Sequence, residues 1–340
     1  LDEAWFDQTA SGMVDTMQRS RSTWQTWHLR AEAYRQARIA EVPRASVEAT
    51  VDHLVARASG NHSVPVTHPT NDPISEPRAL RRRDGSSVYA TPGGQLFTST
   101  GILTAEQRLV DTAGRTDGYT APETAVDLAL LETTANGLEL NPGQAALVRG
   151  MATSGARLQV AIAPAGSGKT TAMAALGRAW TEAGGTVLGL APSAAAADQL
   201  RPQLHTHTDT LAKLVWHLEH GGPPAWMNSI DSRTLVVIDE AGMADTMSLD
   251  TAVSWLIGRG ASVRLIGDDQ QLAAIGAGGV LRDIEAHHGV LRLRDLVRFD
   301  NPAESAASLA LREGRPEAIG FYLDQGRVHV GDQTTLLDDL

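Results

Sequence analysis

The chain has 340 residues, and its 40 acidic side chains outnumber its 29 basic ones, which gives a formal net charge of −11. Because it contains no cysteine, disulfides, thiolate metal sites and cysteine nucleophiles are excluded. No apolar run approaches the roughly 20 residues that a membrane-spanning helix needs, so we expect no membrane insertion and a cytoplasmic location. The acidic balance argues against coating nucleic acid through bulk charge, but it leaves room for a local basic groove.

Residues 1–60 are predicted to form a helical N-terminal region. Between residues 4 and 60, large apolar side chains recur at spacings of three and four among arginines and glutamates, which is typical of helices. The residues concerned are Trp5, Phe6, Met13, Met17, Trp24, Trp27 and Leu29. The pattern indicates a core or a docking face, and base stacking by the tryptophans is the alternative.

Residues 61–137 are predicted to form a linker and a small β/α accessory region. Pro65, Pro69, Pro73 and Pro77 indicate a loop or linker over residues 60–78. An arginine cluster over residues 81–83 either grips phosphates or lies in a solvated turn. Short β-like segments are expected around residues 88–89 and 95–98, and residues 102–137 have a helical pattern.

Beyond residue 157, short apolar runs alternate with helical segments. The runs cover residues 158–162, 186–190, 235–238 and 263–266. Each run has the length and composition of a buried strand, and strands that alternate with helices indicate a parallel sheet with helices on both faces. The sequence therefore predicts an α/β fold with a parallel, doubly wound sheet.

A glycine-rich loop separates the first of these strands from a helix that is predicted from about residue 169. The loop and the helix start comprise Pro164, Ala165, Gly166, Ser167, Gly168, Lys169, Thr170 and Thr171. The glycines allow backbone N–H groups to face a phosphate, and the helix N-terminus adds partial positive charge. Lys169, one of only two lysines in the chain, would reach the β and γ phosphates, and Thr170 would bind Mg²⁺. We therefore predict a site for ATP and Mg²⁺.

Two carboxylates, Asp239 and Glu240, follow the apolar run at 235–238. We expect this run to be a strand that neighbours the phosphate-loop strand, so that both end at the same edge of the sheet. Asp239 would then hold Mg²⁺, and Glu240 would orient and deprotonate the attacking water. The alternative is an acidic pair that caps a strand at the surface.

The ordered set of motifs resembles the DNA helicases of superfamily one, in particular their RecD-like branch. The set comprises the phosphate loop, Asp239-Glu240-Ala241-Gly242 and Gly267-Asp268-Asp269-Gln270-Gln271-Leu272. Upstream, Leu140-Asn141-Pro142-Gly143-Gln144 is similar to the adenine-reading glutamine motif of that group. The resemblance implies a RecA-like P-loop NTPase domain, recognition of adenine by Gln144, and coupling of ATP hydrolysis to DNA by Gln271.

A finer similarity is to the helicase portion of the MobF-type (TraA/TrwC-like) conjugative relaxases. It is carried by residues 190–197, 209–214 and 298–302, and more loosely by residues 82–99. It implies that Pro192, Ser193 and Thr210 lie along single-stranded DNA, and that Arg298 reaches the nucleotide from a second motor domain. Lys213 would lie just beyond a DNA-contacting motif, or it is simply a lysine on a helix surface.

We predict a RecA-like motor domain over residues 138–290 and the start of a second, incomplete RecA-like domain over residues 291–340. The chain would be a fragment of a conjugative relaxase that moves 5′ to 3′ on single-stranded DNA, with the direction taken from the resemblance alone. We expect weak ATP hydrolysis, because a second arginine that completes the ATP site in the family has no match.

Two other functions stay open. One is a docking module for conjugative secretion or coupling proteins that keeps a vestigial ATP site, and the other is a stand-alone RecD-like ATPase. DNA nicking is not expected, because the four tyrosines are scattered and no histidine cluster suited to a metal is recognisable.

Overall fold

The computed structural model describes residues 1–66, 94–164, 166–268, 279–293 and 301–328. The helices are α1 (Glu3–Gln18), α2 (Thr26–Ile39), α3 (Val47–Asn61), α4 (Thr100–Ala113), α5 (Glu123–Ala135), α6 (Pro142–Thr153), α7 (Lys169–Glu182), α8 (Ala194–Leu204), α9 (Leu211–His220), α10 (Ala225–Asn228), α11 (Thr246–Gly258), α12 (Val280–His288), α13 (Pro302–Arg312) and α14 (Glu317–Asp324). The strands are β1 (Trp24–Gln25), β2 (Val64–Val66), β3 (Leu96–Thr98), β4 (Leu158–Ile162), β5 (Thr186–Ala191), β6 (Thr208–Thr210), β7 (Thr234–Ile238), β8 (Ser262–Gly267) and β9 (Leu291–Arg292).

The first three helices share an apolar core with a three-stranded antiparallel sheet of order β1–β3–β2. In α1, the buried residues Ala10, Met13 and Met17 lie three and four positions apart, so they form one face. Asp2 caps this helix, because its carboxylate accepts a hydrogen bond from the backbone N–H of Trp5 at 2.8 Å. The N-terminal region is therefore a small helical and β unit with its own core.

The helical prediction for residues 4–60 is confirmed for α1 to α3, but it misses strand β1. Trp24 in this strand pairs with Phe97, and its indole N–H donates to Ser63 Oγ at 3.2 Å. Trp24 is fully buried, whereas Trp27 is 47% exposed. Because β1 breaks the helical period, Trp27 falls on the outer side of α2. The core interpretation therefore holds for Met13, Met17, Trp24 and Leu29, but not for Trp27.

The second unit is built on a six-stranded sheet of order β6–β5–β7–β8–β4–β9. All of its strand pairs are parallel, and successive strands are linked by helices over most of the sheet. The predicted α/β fold with a parallel, doubly wound sheet is confirmed. Strand β4 has the predicted bounds, and β5, β7 and β8 each extend the predicted apolar run by one or two residues.

Helices cover both faces of this sheet, since alternate side chains of a strand enter different cores. In β7, Val236 and Ile238 belong to one apolar cluster, and Leu235 and Val237 belong to the other. This two-sided burial explains why the strands read as continuous apolar runs in the sequence.

One expectation about strand order is wrong. Strand β7, which carries Asp239 and Glu240 at its end, does not neighbour the phosphate-loop strand β4, because β8 lies between them. The registers place Ile238 of β7 beside Leu265, and Ile162 of β4 beside Gly267. The strands nevertheless end at the same edge of the sheet, which we call the carboxyl edge.

The helical stretch predicted for residues 102–137 consists of two helices, α4 and α5, separated by residues 114–122. Gly118 lies in this break, where an added Cβ would come within 2.8 Å of the Gly155 carbonyl oxygen.

Strand β9 (Leu291–Arg292) joins the large sheet beside β4, just past the predicted boundary at residue 290. The domain boundaries stay a prediction. No helix in the described ranges is long and apolar enough to cross a membrane.

Candidate functional site

The loop between β4 and α7 depends on its glycines. Gly166 has a φ of +84° and Gly168 a φ of +75°, both in the left-handed region that residues with a Cβ rarely adopt. The loop is closed by a turn in which the backbone N–H of Ser167 donates to the Pro164 carbonyl at 3.1 Å. At its start, the N–H of Ala163 donates to the Gly267 carbonyl at 2.9 Å, which fixes the loop to the end of β8.

The loop residues have the character of an anion site. The hydroxyl of Ser167 is buried and has no hydrogen-bond partner within the described ranges, which leaves a donor available inside the loop. Gly168 is the N-cap of α7, so the unpaired N–H groups and partial positive charge of this helix end lie at the loop. The residues therefore fit a bound phosphate group.

Lys169 connects the loop to the carboxylates at the end of β7. Its ammonium donates to Asp239 Oδ1 at 2.8 Å and to Glu240 Oε1 at 2.7 Å. Burial alone would lower the pKa of Lys169, but the charges of the two carboxylates and the hydrogen bonds to them raise it above its ordinary value. The site therefore holds a fixed cation between two anions, although β8 separates the two strands.

Glu240 is held in an unusual backbone conformation. Its φ of +51° and ψ of +36° lie in the left-handed region, and its N–H donates to Asp239 Oδ1 at 2.9 Å. The backbone of a non-glycine residue is strained in this region, and such strained residues cluster at functional sites. The turn directs both carboxylates to Lys169. Asp239 is buried, whereas the Glu240 side chain is 27% exposed.

Gln144, the predicted adenine reader, lies beside the phosphate loop. It is buried in the first turn of α6, where its Oε1 accepts from the Asn141 N–H at 2.9 Å and its own N–H donates to Asn141 Oδ1 at 2.8 Å. Its amide nitrogen Nε2 donates to the carbonyl oxygens of Ser167 at 3.1 Å and Gly168 at 3.2 Å. In this state, the side-chain amide is engaged by the protein.

The other predicted nucleotide residues in the described chain lie on the same short segment. Pro164 is buried, Thr170 is exposed in the first turn of α7, and Thr171 is half-buried next to it. Carboxylate and hydroxyl oxygens are ligands that Mg²⁺ accepts, so Asp239 and Thr170 supply a suitable donor set for this ion. Ala165 lies outside the described residues.

The predicted DNA contacts also lie at the carboxyl edge. Pro192 and Ser193 follow β5, and Thr210 ends β6, where it is paired with Ala191. Ser193 caps α8 by accepting from the Ala196 N–H at 3.2 Å, and Thr210 caps α9 in the same way. The predicted nucleotide and DNA residues are therefore at one edge of the sheet, on different strands.

Lys213, the second lysine of the chain, forms an ion pair one helical turn beyond Asp209. Its ammonium lies 2.7 Å from Asp209 Oδ2, and its side chain is half exposed. Burial would raise the pKa of Asp209, but the hydrogen bonds from Lys213 and from the Thr210 N–H lower it. The pair accounts for Lys213 as a helix-surface residue, and a role near DNA stays a prediction.

Two predicted site residues, Gln271 and Arg298, lie outside the described residues. A cation that the sequence did not single out does reach this edge. Arg312 of α13 pairs with Asp268, which directly follows β8, and its Nε lies 3.1 Å from Asp268 Oδ1. No sequence signal marks Arg312, because 44 residues separate the partners and an arginine at the end of a helix is common.

The AAA domain family matches residues 139–333, more than half of the chain. The chain belongs to this family. The predicted RecA-like P-loop fold is thus confirmed, and an ATPase-type module is supported. The matched region includes the phosphate loop, both carboxylates and the residues predicted to contact DNA.

Curated relatives of this AAA-domain protein are conjugal transfer proteins. The chain is 33% identical over 177 residues to the conjugal transfer protein TraA of Rhizobium radiobacter, which covers 51% of this chain and 15% of that protein. It is 32% identical over 179 residues to TraA of Agrobacterium fabrum, with 52% and 16% covered. The predicted TraA-like resemblance is confirmed over about half of the chain, and that half corresponds to about one sixth of the relatives' length.

A solved structure with a related shape is the UvsW helicase from bacteriophage T4. The similarity covers 63% of this chain and 81% of that chain, with a TM-score of 0.38 and 14% identity. The likeness is too low to support a statement about function.

Proposed function

We propose that the chain binds and hydrolyses Mg·ATP and uses this reaction to move on single-stranded DNA as the motor module of a conjugal transfer protein. One observation carries the proposal: Lys169 at the end of a phosphate loop lies within hydrogen-bond distance of both Asp239 and Glu240. The AAA domain and the TraA relatives support the same assignment.

In the proposed site, each residue of the chain has a separate task. The loop N–H groups and Lys169 would bind the β and γ phosphates, while Thr170 and Asp239 would hold Mg²⁺, which neutralises phosphate charge. Glu240 would orient the attacking water and accept its proton. Phosphoryl transfer depends mainly on positioning and charge, and the loop N–H groups, Lys169 and the paired carboxylates would supply both.

Nucleotide binding would rearrange the contacts of Lys169. The ammonium donates two of its three N–H groups to the carboxylates, and the oxygens of a phosphate at the loop would take the third donor and draw the ammonium away from the carboxylates. The exchange would free Asp239 for the metal and Glu240 for water. The ion pairs thus hold the catalytic side chains in place until the nucleotide arrives.

The remaining roles follow from the resemblance and the shared edge. Gln144 would recognise adenine, Gln271 would couple hydrolysis to DNA, and Arg298 would reach the nucleotide from the second motor domain. Pro192, Ser193 and Thr210 would contact the single strand at the carboxyl edge, and movement would run 5′ to 3′. The further partners would be coupling or secretion proteins of conjugation.

The test is ATP hydrolysis by the full chain with and without single-stranded DNA, using Glu240→Gln. The amide keeps the shape but cannot serve as a base, so hydrolysis should fall by at least about 100-fold while Mg·ATP affinity stays within a few-fold. Glu219→Gln, an exposed acid on α9, is the matched control and should behave like the wild type. Undiminished hydrolysis in Glu240→Gln would contradict the proposed role.

A further inference from the structure

The side-chain amide of Gln144 makes more contacts with the phosphate loop than an adenine-reading residue requires. A base reader needs its donor and acceptor to face the base, whereas Gln144 directs Nε2 to the carbonyls of Ser167 and Gly168, 23 and 24 residues away. Its Oε1 is held by the Asn141 N–H. The residue is 3% exposed, so these contacts are made in a region with little access to water.

The two carbonyls fix the direction of two amide donors. In a planar trans peptide, the carbonyl and the N–H point to opposite sides, and the described chain contains no cis peptide bond. When the Ser167 carbonyl faces Gln144, the N–H of Gly168 faces away from it. The Gly168 carbonyl likewise turns the N–H of Lys169 away. Two consecutive donors are thus directed to the opposite side of the loop.

These donors belong to the part of the loop that has the least conformational restraint. Gly166 and Gly168 both have positive φ, and glycine can also adopt many other backbone conformations. Without hydrogen bonds from another part of the chain, the loop would lose more conformational entropy when it becomes ordered around a phosphate. Gln144 provides these hydrogen bonds from α6, a helix whose start is fixed by the reciprocal Asn141 and Gln144 contacts.

We propose that Gln144 is a positioning residue that presets the Gly168 and Lys169 amides for a polyphosphate, independently of the base that the polyphosphate carries. The proposal rests on the proposed function, because it assumes that the loop binds phosphate. It differs from adenine recognition in one consequence: loss of the Gln144 amide should lower the affinity of the chain for a polyphosphate that carries no base.

The experiment measures the affinity of the full chain for Mg·ATP, Mg·GTP and magnesium tripolyphosphate by calorimetry. Gln144→Met keeps the side-chain volume without hydrogen bonds, and Gln144→Glu keeps an acceptor for Asn141 but cannot donate to the loop carbonyls. Gln144→Met should bind tripolyphosphate about tenfold more weakly, which is the loss expected for two hydrogen bonds. Gln144→Glu should lose at least as much, because its carboxylate also repels the polyanion. GTP should lose the same factor, and ATP at least that factor.

Asn141→Ala is the matched control, because it removes the α6 cap while the Gln144 amide can still reach the loop. Its melting temperature should fall, but its tripolyphosphate affinity should stay within twofold of the wild type. Hydrogen exchange across residues 166–170 without ligand gives a second readout, and it should be faster in both Gln144 variants than in Asn141→Ala.

Unchanged tripolyphosphate affinity in the Gln144 variants, with ATP affinity alone reduced, would overturn the inference and favour adenine recognition. Equal loss in Asn141→Ala would also overturn it, because helix stability would then explain the effect. If the wild type bound neither ATP nor tripolyphosphate, the proposed function itself would fail, so the wild-type measurement separates the two failures.

Discussion

Arg264 is a fully buried charged residue in the middle of β8. Its guanidinium donates to the Met151 carbonyl at 3.0 and 2.8 Å and to the Ala156 carbonyl at 2.8 Å, and it lies 5.9 Å from the ring centroid of Trp180. Burial lowers the pKa of Arg264 to about 9, so the group still carries its charge at neutral pH. Carbonyl dipoles and an aromatic face, rather than a carboxylate, solvate this cation.

We predict that Arg264→Lys destabilises the fold by about 2–4 kcal/mol, because an ammonium cannot reproduce the forked contacts and leaves buried carbonyls unpaired. Urea unfolding would measure the change. Arg282→Lys, the same substitution at an exposed position on α12, is the control and should change stability by less than about 0.5 kcal/mol. Equal stability of the two variants would contradict the structural role of Arg264.

This residue also illustrates what the sequence could not provide. The apolar neighbours of Arg264 predicted a strand over 263–266, and β8 confirms it. Arginine is rarely buried, however, and nothing in the local sequence marked the carbonyls of Met151 and Ala156 as its partners. Gln144 is similar: its motif was recognisable, but its contacts with the loop depend on how α6 packs against α7.

At the level of elements, helix α4 joins the accessory region to the large sheet through two kinds of contact. Arg108 pairs with the buried Asp250 of α11, with Nη2 and Oδ2 2.5 Å apart. Glu106 on the same helix pairs with no cation among the residues that the structure describes. Burial, together with the charge of Asp283 on α12, raises its pKa above the ordinary value. The α4–α12 contact therefore disfavours the ionised form of Glu106.

A raised pKa means that the folded chain holds the Glu106 proton more tightly than the unfolded chain. Stability from this group is therefore present at low pH and is lost as the pH rises from the unfolded-state value through the folded one. We predict that Glu106→Gln is more stable than the wild type at pH 7, and that the difference shrinks as the pH falls towards 4.5. Unfolding at several pH values tests this, with the exposed Glu132→Gln as control. A pH-independent difference would contradict it.

The elements themselves were predictable to different degrees. Strand β4 and helix α7 were found within a residue of their bounds, because a continuous apolar run and a glycine loop are strong local signals. Strand β1 was missed, since it has only two residues and is fixed by pairing with β3, 71 residues later along the chain. The order of β7, β8 and β4 was also out of reach, because strand order depends on how the helices pack.

For the whole molecule, the carboxyl edge of the large sheet unites the proposed functions. Lys169, Asp239 and Glu240 are in contact there, and the caps Ser193 and Thr210 lie at the ends of strands farther along the same edge. The sequence predicted that Asp239 and Glu240 would lie at the same edge as the phosphate loop, because each motif follows a strand, whereas Ser193 and Thr210 were assigned to DNA only through the family resemblance. It did not predict that Lys169 would be paired with both carboxylates.

The most direct test of the account compares the only two lysines of the chain. Lys169→Ala and Lys213→Ala remove the same charge, and each side chain is ion-paired in the structure. Mg·ATP affinity should be measured by calorimetry for both variants and the wild type. We predict that Lys169→Ala weakens binding by about 10- to 100-fold, the loss of a charged hydrogen bond, and that Lys213→Ala stays within twofold. Equal Mg·ATP affinity in Lys169→Ala and the wild type would contradict the assignment of this loop as the nucleotide site.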